Sequence, residues 1–311
     1  MRVTTNMFPD SLVNQLGRLS VRQNKLQEQI SSGQKITLPE DDPSAMGRVM
    51  DLQQELSLIN RYRKNITALQ DRVDVVYNSI RSIKTISDRA NEIAVLADSL
   101  RTPEELKTYA IEVSNLIDQA IQIANSKYND SYLFGGVNGS QPPVSVTKDA
   151  DGKIISVSFN SDEKVPEYQI SYTATMAVDI PAANSSGSGQ TGLFTDPRTG
   201  ADFINHLISL RDHLLAADTN SIQDVDAINL QKDEKHFILQ LADSGVKKAH
   251  LQTIDDFHSY KAQSLESNIS SETDTDLPSA IMKLNQTQSA FLAALQTGAA
   301  ILNKSLLDYL R

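Results

Sequence analysis

The sequence predicts a mainly α protein: a long antiparallel helical coiled-coil bundle formed by the N- and C-terminal segments, with a small β-rich domain inserted between them. Three observations lead there. Apolar residues step by alternating fours and threes near both ends of the 311-residue chain. Long stretches poor in Gly and Pro follow the first end and precede the second. In the middle, Gly, Pro, Ser and Thr rise and the helical rhythm vanishes.

The first helix is expected over about residues 6 to 32, with the stripe Leu12, Leu16, Leu19, Leu26 and Ile30 and with Gln23 in the remaining slot. It stops at Ser31-Ser32-Gly33, because Gly is the usual residue just past a helix end. In Leu38-Pro39-Glu40-Asp41-Asp42-Pro43, Asp42 can cap a new helix and Pro43 fits its first turn. That second helix meets no Pro until Pro103 and carries Val49, Leu52, Leu56, Ile59, Ile66, Val73, Tyr77 and Ile80, with Arg63, Gln70 and Lys84 at core-like slots. Roughly 55 residues at 1.5 Å each would reach about 80 Å, the length of a rod. Thr102-Pro103-Glu104-Glu105 reads as a capping box opening a third helix, antiparallel to the second because the connection is short.

After Tyr132-Leu133-Phe134-Gly135-Gly136 the pattern turns to strands at Val144-Ser145-Val146, Ile154 to Phe159 and Tyr168 to Tyr172, the first two joined by a turn at Asp151-Gly152. Ser185-Ser186-Gly187-Ser188-Gly189 reads as a flexible linker or a loop. Helical spacing returns with Phe203, Leu207, Leu210 and Leu214. A longer segment from about Ile222 to Asn268 follows, with Val225, Ile228, Phe237, Leu241 and Leu251 as its apolar face. The last stripe runs through Leu277, Ile281, Leu284, Phe291, Leu295 and Leu302 to Tyr309, broken at Gln288, Gly298 and Ser305. The expected segments are 1–42 and 271–311 as terminal coiled-coil assembly pieces, 43–137 and 200–270 as a long-helix rod, and 138–199 as a β-rich outer insert. Seams this narrow need a partner, so the two terminal stripes are read as an intermolecular assembly seam.

Composition excludes several classes of function. A net charge of −10 argues against nucleic acid and against membrane surfaces. No stretch approaches the roughly 18 apolar residues of a membrane span, and the first residues lack the apolar core of a cleavable signal. The absence of Cys removes disulfides, thiolate metal sites and thiol catalysis.

Asp149-Ala150-Asp151-Gly152 is read as a hairpin turn and not a calcium loop, since the later oxygen ligands and terminal Glu are missing. His206 and His213, and His250 and His258 near Asp255 and Asp256, have no zinc-site spacing and read as ordinary exposed residues. No nucleophile elbow, P-loop or dinucleotide fingerprint is present. The insert holds no His, so no catalytic constellation and no cofactor or metal is expected. A hydrolase housed in the insert and a cytoplasmic coiled-coil signalling module are the rival classes.

These residues resemble the bacterial flagellin and hook-associated protein group. The likeness lies in Met1-Arg2-Val3-Thr4-Thr5-Asn6-Met7-Phe8, Gln29-Ile30-Ser31-Ser32-Gly33, Asp41-Asp42-Pro43-Ser44-Ala45, Tyr132-Leu133-Phe134-Gly135-Gly136 and Leu306-Leu307-Asp308-Tyr309-Leu310. It covers both helical arms, while the insert matches only in kind. The resemblance implies a non-enzymatic axial protein of the flagellum, exported unfolded by the type III route without a cleaved signal peptide and folded outside the cell. Its partners would be hook-associated protein 1 and flagellin, its own copies in a ring, and an export chaperone. Within the group the opening and closing motifs are more like the hook–filament junction type, with a flagellin-type filament subunit as the alternative. Leu38-Pro39-Glu40 departs from relatives that carry a polar or basic residue before the acidic pair.

Overall fold

The computed structural model describes residues 7–150 and 152–309, with side chains described for 10–150 and 152–300. The opening Met1 to Asn6, Asp151 of the expected turn, Leu310 and the side chains of Leu302, Leu306, Leu307, Asp308 and Tyr309 lie outside the described residues. Among the described residues the architecture is mainly α with small two-stranded antiparallel sheets. In chain order come α1 (Met7–Ser32), α2 (Pro43–Leu96) and α3 (Pro103–Ala124), then β1 (Lys127–Tyr128), β2 (Ser131–Tyr132), β3 (Val144–Lys148), β4 (Ile154–Phe159), β5 (Tyr168–Gln169), β6 (Thr175–Met176), β7 (Thr195–Asp196) and β8 (Ala201–Asp202). The chain closes with α4 (Phe203–Ala216), the single turn α5 (Thr219–Ser221), a π-turn at Ile222–Asp226, α6 (Ala227–Thr273) and α7 (Leu277–Tyr309). Two compact units result: one takes Ile59–Tyr260, the other the residues on either side, up to Leu58 and from Lys261.

Local chemistry explains where the helices begin and end. Gly33 sits at φ +73, open to glycine at no steric cost, and its N–H returns to the Gln29 carbonyl at 3.0 Å, closing α1. Asp42 Oδ1 accepts from the Ser44 and Ala45 N–H groups at 3.1 and 2.9 Å, which caps α2. The Thr102 hydroxyl accepts from the Glu105 N–H at 3.3 Å while the Glu105 carboxylate accepts from the Thr102 N–H at 2.8 Å, the reciprocal box expected for α3.

In the unit Ile59–Tyr260, α2 buries Ile59, Tyr62, Ile66, Leu69, Val73, Val76, Ile80 and Ile83, a strict alternation of threes and fours. Arg63 and Lys84 flank this face instead of interrupting it: Arg63 Nε meets Asp255 at 3.2 Å, and Lys84 Nζ reaches Asp88 at 2.7 Å and Glu234 at 3.8 Å. Arg89 grips Glu112 through two contacts of 2.5 and 3.0 Å, tying α2 to α3. The main core joins α2 and α3 to Phe134, Phe194, Phe203 and Phe237. A second cluster of Ile66, Leu69, Val73, Ile170, Val178 and Leu251 covers the β5–β6 hairpin.

The buried face of α6 corrects the sequence reading. Phe237 and Leu251 are buried as expected, but Val225 and Ile228 are 47% and 50% exposed. The packing face instead includes Asp226, Asp233, His236, Gln240, Ser244 and His258. Hydrogen bonds make part of that burial tolerable, while Ser244 Oγ and His258 Nδ1 are buried without a partner among the described residues. His206 Nδ1 lies 2.6 Å from Asp233, His213 Nδ1 lies 2.6 Å from Asp226, and His258 Nε2 lies 2.9 Å from the Ile170 carbonyl. Of the four histidines expected on the surface, only His250 is exposed. Burial holds His236 below its ordinary value, with the ring between the Gly192 carbonyl at 2.8 Å and Thr199 Oγ1 at 3.1 Å.

In the insert, β3 and β4 pair in antiparallel register from Val144 opposite Phe159 to Lys148 opposite Ile154. The Tyr168 to Tyr172 strand shrinks to Tyr168–Gln169, paired with Thr175–Met176. The Ser-Gly run is a pinned loop: the Asn184 amide donates to the Ser188 and Gln190 carbonyls, both at 2.6 Å. Glu163 Oε1 accepts from the Ser185 and Ser186 N–H groups at 2.8 and 2.9 Å and from the Ser185 hydroxyl at 2.6 Å. Those donors, the serine hydroxyls foremost, hold its carboxyl down at about 2 against an ordinary 4.5. A lowered folded value means the tether is present above pH 4.5 and is lost as pH falls from there toward 2. Amide exchange should therefore show protection of Ser185 and Ser186 declining across that window, and Glu163→Gln should remove the decline.

Candidate assembly surface

α1 and α7 pack together as an antiparallel pair. Its direction is fixed at both ends: Leu12 abuts Gly298, and Gln34 bridges Asp274 in antiparallel fashion. The Lys35 N–H donates to the Thr273 carbonyl at 2.7 Å and the Thr275 N–H to the Gly33 carbonyl at 2.8 Å, so the turn after α1 is stitched to the turn before α7. Lys25 Nζ meets Asp41 at 2.5 Å and, as the leading cause, holds that carboxyl below its ordinary value. Arg48 reaches the Glu272 carboxylate at 2.9 Å.

The expected seam residues fall into two sets. On α1, Leu26 is buried and Leu12, Leu16, Leu19 and Ile30 are half-buried. On α7, Leu284 and Phe291 are half-buried, whereas Leu277, Ile281 and Leu295 remain 42%, 46% and 44% exposed. The side chains of Leu302 and Tyr309 lie outside the described residues.

The residues of α7 with least exposure are Ala280, Leu284, Thr287, Phe291, Ala294 and Gly298, again spaced by fours and threes. Two stripes therefore interleave on α7 and share Leu284, Phe291 and Gly298. The inner stripe sets small residues, Ala280, Thr287, Ala294 and Gly298, around Leu284 and Phe291. A Cβ at position 298 would press into the Leu12 δ-methyl, so with any larger residue here the Leu12 side chain would have to turn aside. Sequence reasoning followed the larger residues and missed Ala280, Thr287 and Ala294; their 3.5-residue spacing was the available signal.

The outer stripe is the chemically distinctive feature. Leu277, Ile281 and Leu295 stand beside Met282 and Leu292, each 59% exposed. On α1, Val13 and Val21 are 67% and 69% exposed and line a shallow groove with Gly17, Arg18, Arg22 and Lys25. α1 holds three basic and two acidic residues and α7 two basic and one acidic, so the pair carries +2 in a chain of −10. An apolar, weakly basic surface with few charges has the composition of a protein-contact surface. Among the described residues there is no cluster of His, Cys, Asp or Glu able to hold a metal, and no helix long and apolar enough to cross a membrane.

Residues 3–139 match the family described as the bacterial flagellin N-terminal helical region, so this part of the chain is similar to flagellins. More particularly, the chain is similar from end to end to the flagellar hook-associated protein 3 of Salmonella typhimurium, with 23% identity over 96% of each chain. It is also similar to the protein of that name from Escherichia coli, with 22% identity over 94% of this chain and 95% of the relative. Among solved structures, a protein from Vibrio parahaemolyticus described as flagellar hook-associated aligns over 75% of this chain and 100% of its own, at 15% identity and a TM-score of 0.65. The flagellar junction protein FlgL from Legionella pneumophila aligns over 73% and 99%, at 14% identity and a TM-score of 0.56. The fold is shared with both.

Proposed function

We propose that this chain is a structural component of the bacterial flagellum that joins hook to filament, assembling through its terminal helices. The observation that carries this reading is the end-to-end likeness to hook-associated protein 3, which favours a junction part over a filament subunit. The chain works without catalysis, as an adaptor between other axial proteins. Toward the hook its neighbour is hook-associated protein 1, toward the filament it is flagellin, and its own copies close a ring. An export chaperone accompanies the chain before it leaves the cell.

In this reading residues 1–42 and 271–311 are the assembly segments, 43–137 and 200–270 the rod, and 138–199 the outer insert. The seam residues act in two ways. Leu12, Leu16, Leu19, Leu26, Ile30, Leu284 and Phe291 join α1 to α7, and Leu277, Ile281 and Leu295 meet neighbouring subunits. Burying the exposed half of each outer side chain contributes about 1 kcal/mol, so a repeated ring contact adds up quickly.

Antibody labelling of isolated flagella tests the placement. Label confined to one band where hook meets filament is the expected outcome. Label along the whole filament would make the chain a filament subunit.

A further inference from the structure

We propose that Asn138-Gly139, in the turn between β2 and β3, is a site of spontaneous deamidation on the folded chain. The chemistry needs an asparagine side-chain carbonyl within reach of the next residue's backbone nitrogen, and that nitrogen must be unshielded. Asn138 is the one asparagine in the sequence followed by glycine. Its side chain is exposed, and Gly139 has no Cβ to stand between the attacking nitrogen and the amide.

The local bonds favour the same step. Among the described residues the Gly139 N–H has no acceptor, although the turn is held on either side of it: the Gly139 carbonyl accepts from the Tyr132 N–H at 2.9 Å and the Val137 N–H donates to the Lys164 carbonyl at 2.9 Å. The Ser140 hydroxyl donates to the Asn138 side-chain oxygen at 2.8 Å and polarises the carbonyl that is attacked. Two asparagines followed by serine, Asn160 and Asn184, are occupied differently. The buried Asn184 donates its amide to two carbonyls and accepts from Gly187, and Asn160 donates its amide to Ser145 Oγ at 2.6 Å.

In the reaction the Gly139 nitrogen forms a bond to the Asn138 side-chain carbonyl carbon and gives its proton to solvent. The bond from that carbon to the amide nitrogen breaks, and the nitrogen takes up a proton from solvent and leaves as ammonia. Water then opens the five-membered imide at either carbonyl, giving aspartate or isoaspartate. One water is consumed, one ammonia is released, and nothing is oxidised or reduced. The product adds a negative charge, and the isoaspartate form lengthens the main chain by one methylene, which draws the Gly139 carbonyl away from Tyr132.

The test uses the full, folded chain incubated in mildly alkaline buffer, with peptide mass mapping and fragmentation that separates isoaspartate from aspartate. Asn138 should convert about tenfold faster than Asn160 or Asn184, since only there is the following residue a glycine, with no Cβ of its own beside the attacking nitrogen. In Asn138→Gln the converted peptide should disappear, with the rest of the map unchanged. An intact Asn138 in the folded chain, at times when the same residue has converted in urea, would overturn the proposal.

Discussion

Cells whose single copy of this chain carries Leu295→Asp should make hooks that bear no filament, while the purified variant keeps the fold and melting temperature of the unaltered protein. The two halves of that expectation rest on one observation: Leu295 is 44% exposed on α7, outside the stripe that packs on α1. A charge there stays solvated in the free chain, where such surface changes are worth about 0.5 kcal/mol or less. In an assembled contact the same carboxylate would be stripped of water without a partner, at a cost of several kcal/mol repeated in every subunit. Leu284→Asp makes the contrast. That residue faces α1, so its replacement should loosen the helix pair in the free chain as well. Normal filaments on Leu295→Asp cells would remove the outer stripe from the assembly surface.

Phe237→Ala should be the most damaging single truncation in the unit Ile59–Tyr260. Phe237 is fully buried, and its ring meets Phe203 edge-on with centroids 5.0 Å apart. Removing such a ring costs about 3–5 kcal/mol through lost burial and the cavity left behind. In a unit of this size that should lower the melting temperature by about 6 °C or more. Phe257 sits on the same helix but is 63% exposed, and Phe257→Ala should leave melting nearly unchanged. Equal melting of the two variants would contradict the placement of the core.

The contrast within α6 shows how much of this fold was legible in the sequence. Features with local causes were readable: Gly33, Asp42 and Thr102 mark helix ends through bonds to residues within four positions, and the structure places each bond where the motif predicts it. Features that depend on distant partners were not. Asp226 and Asp233 look like solvated residues until His213 and His206 of α4 are brought to 2.6 Å from them, and no periodicity in α6 announces that pairing. Val225 and Ile228 look like core residues, and the π-turn at Ile222–Asp226 shifts the helical phase just where they stand.

The terminal surface was legible in its rhythm and hidden in its phase. The stripe of large residues on α7 shares Leu284 and Phe291 with the inner stripe, so either could have faced α1. What decides is the partner: Leu12 of α1 lies against Gly298, and Leu277, Ile281 and Leu295 are left outward.

The most direct measurement is electron microscopy of cells lacking this chain's gene, combined with an assay for flagellin in the culture medium. A junction part predicts intact hooks without filaments and flagellin monomer leaking outward, because export continues with nothing to receive the subunits. Hooks without filaments and without leaked monomer would make the chain the filament subunit itself, and unchanged flagella would contradict the account altogether.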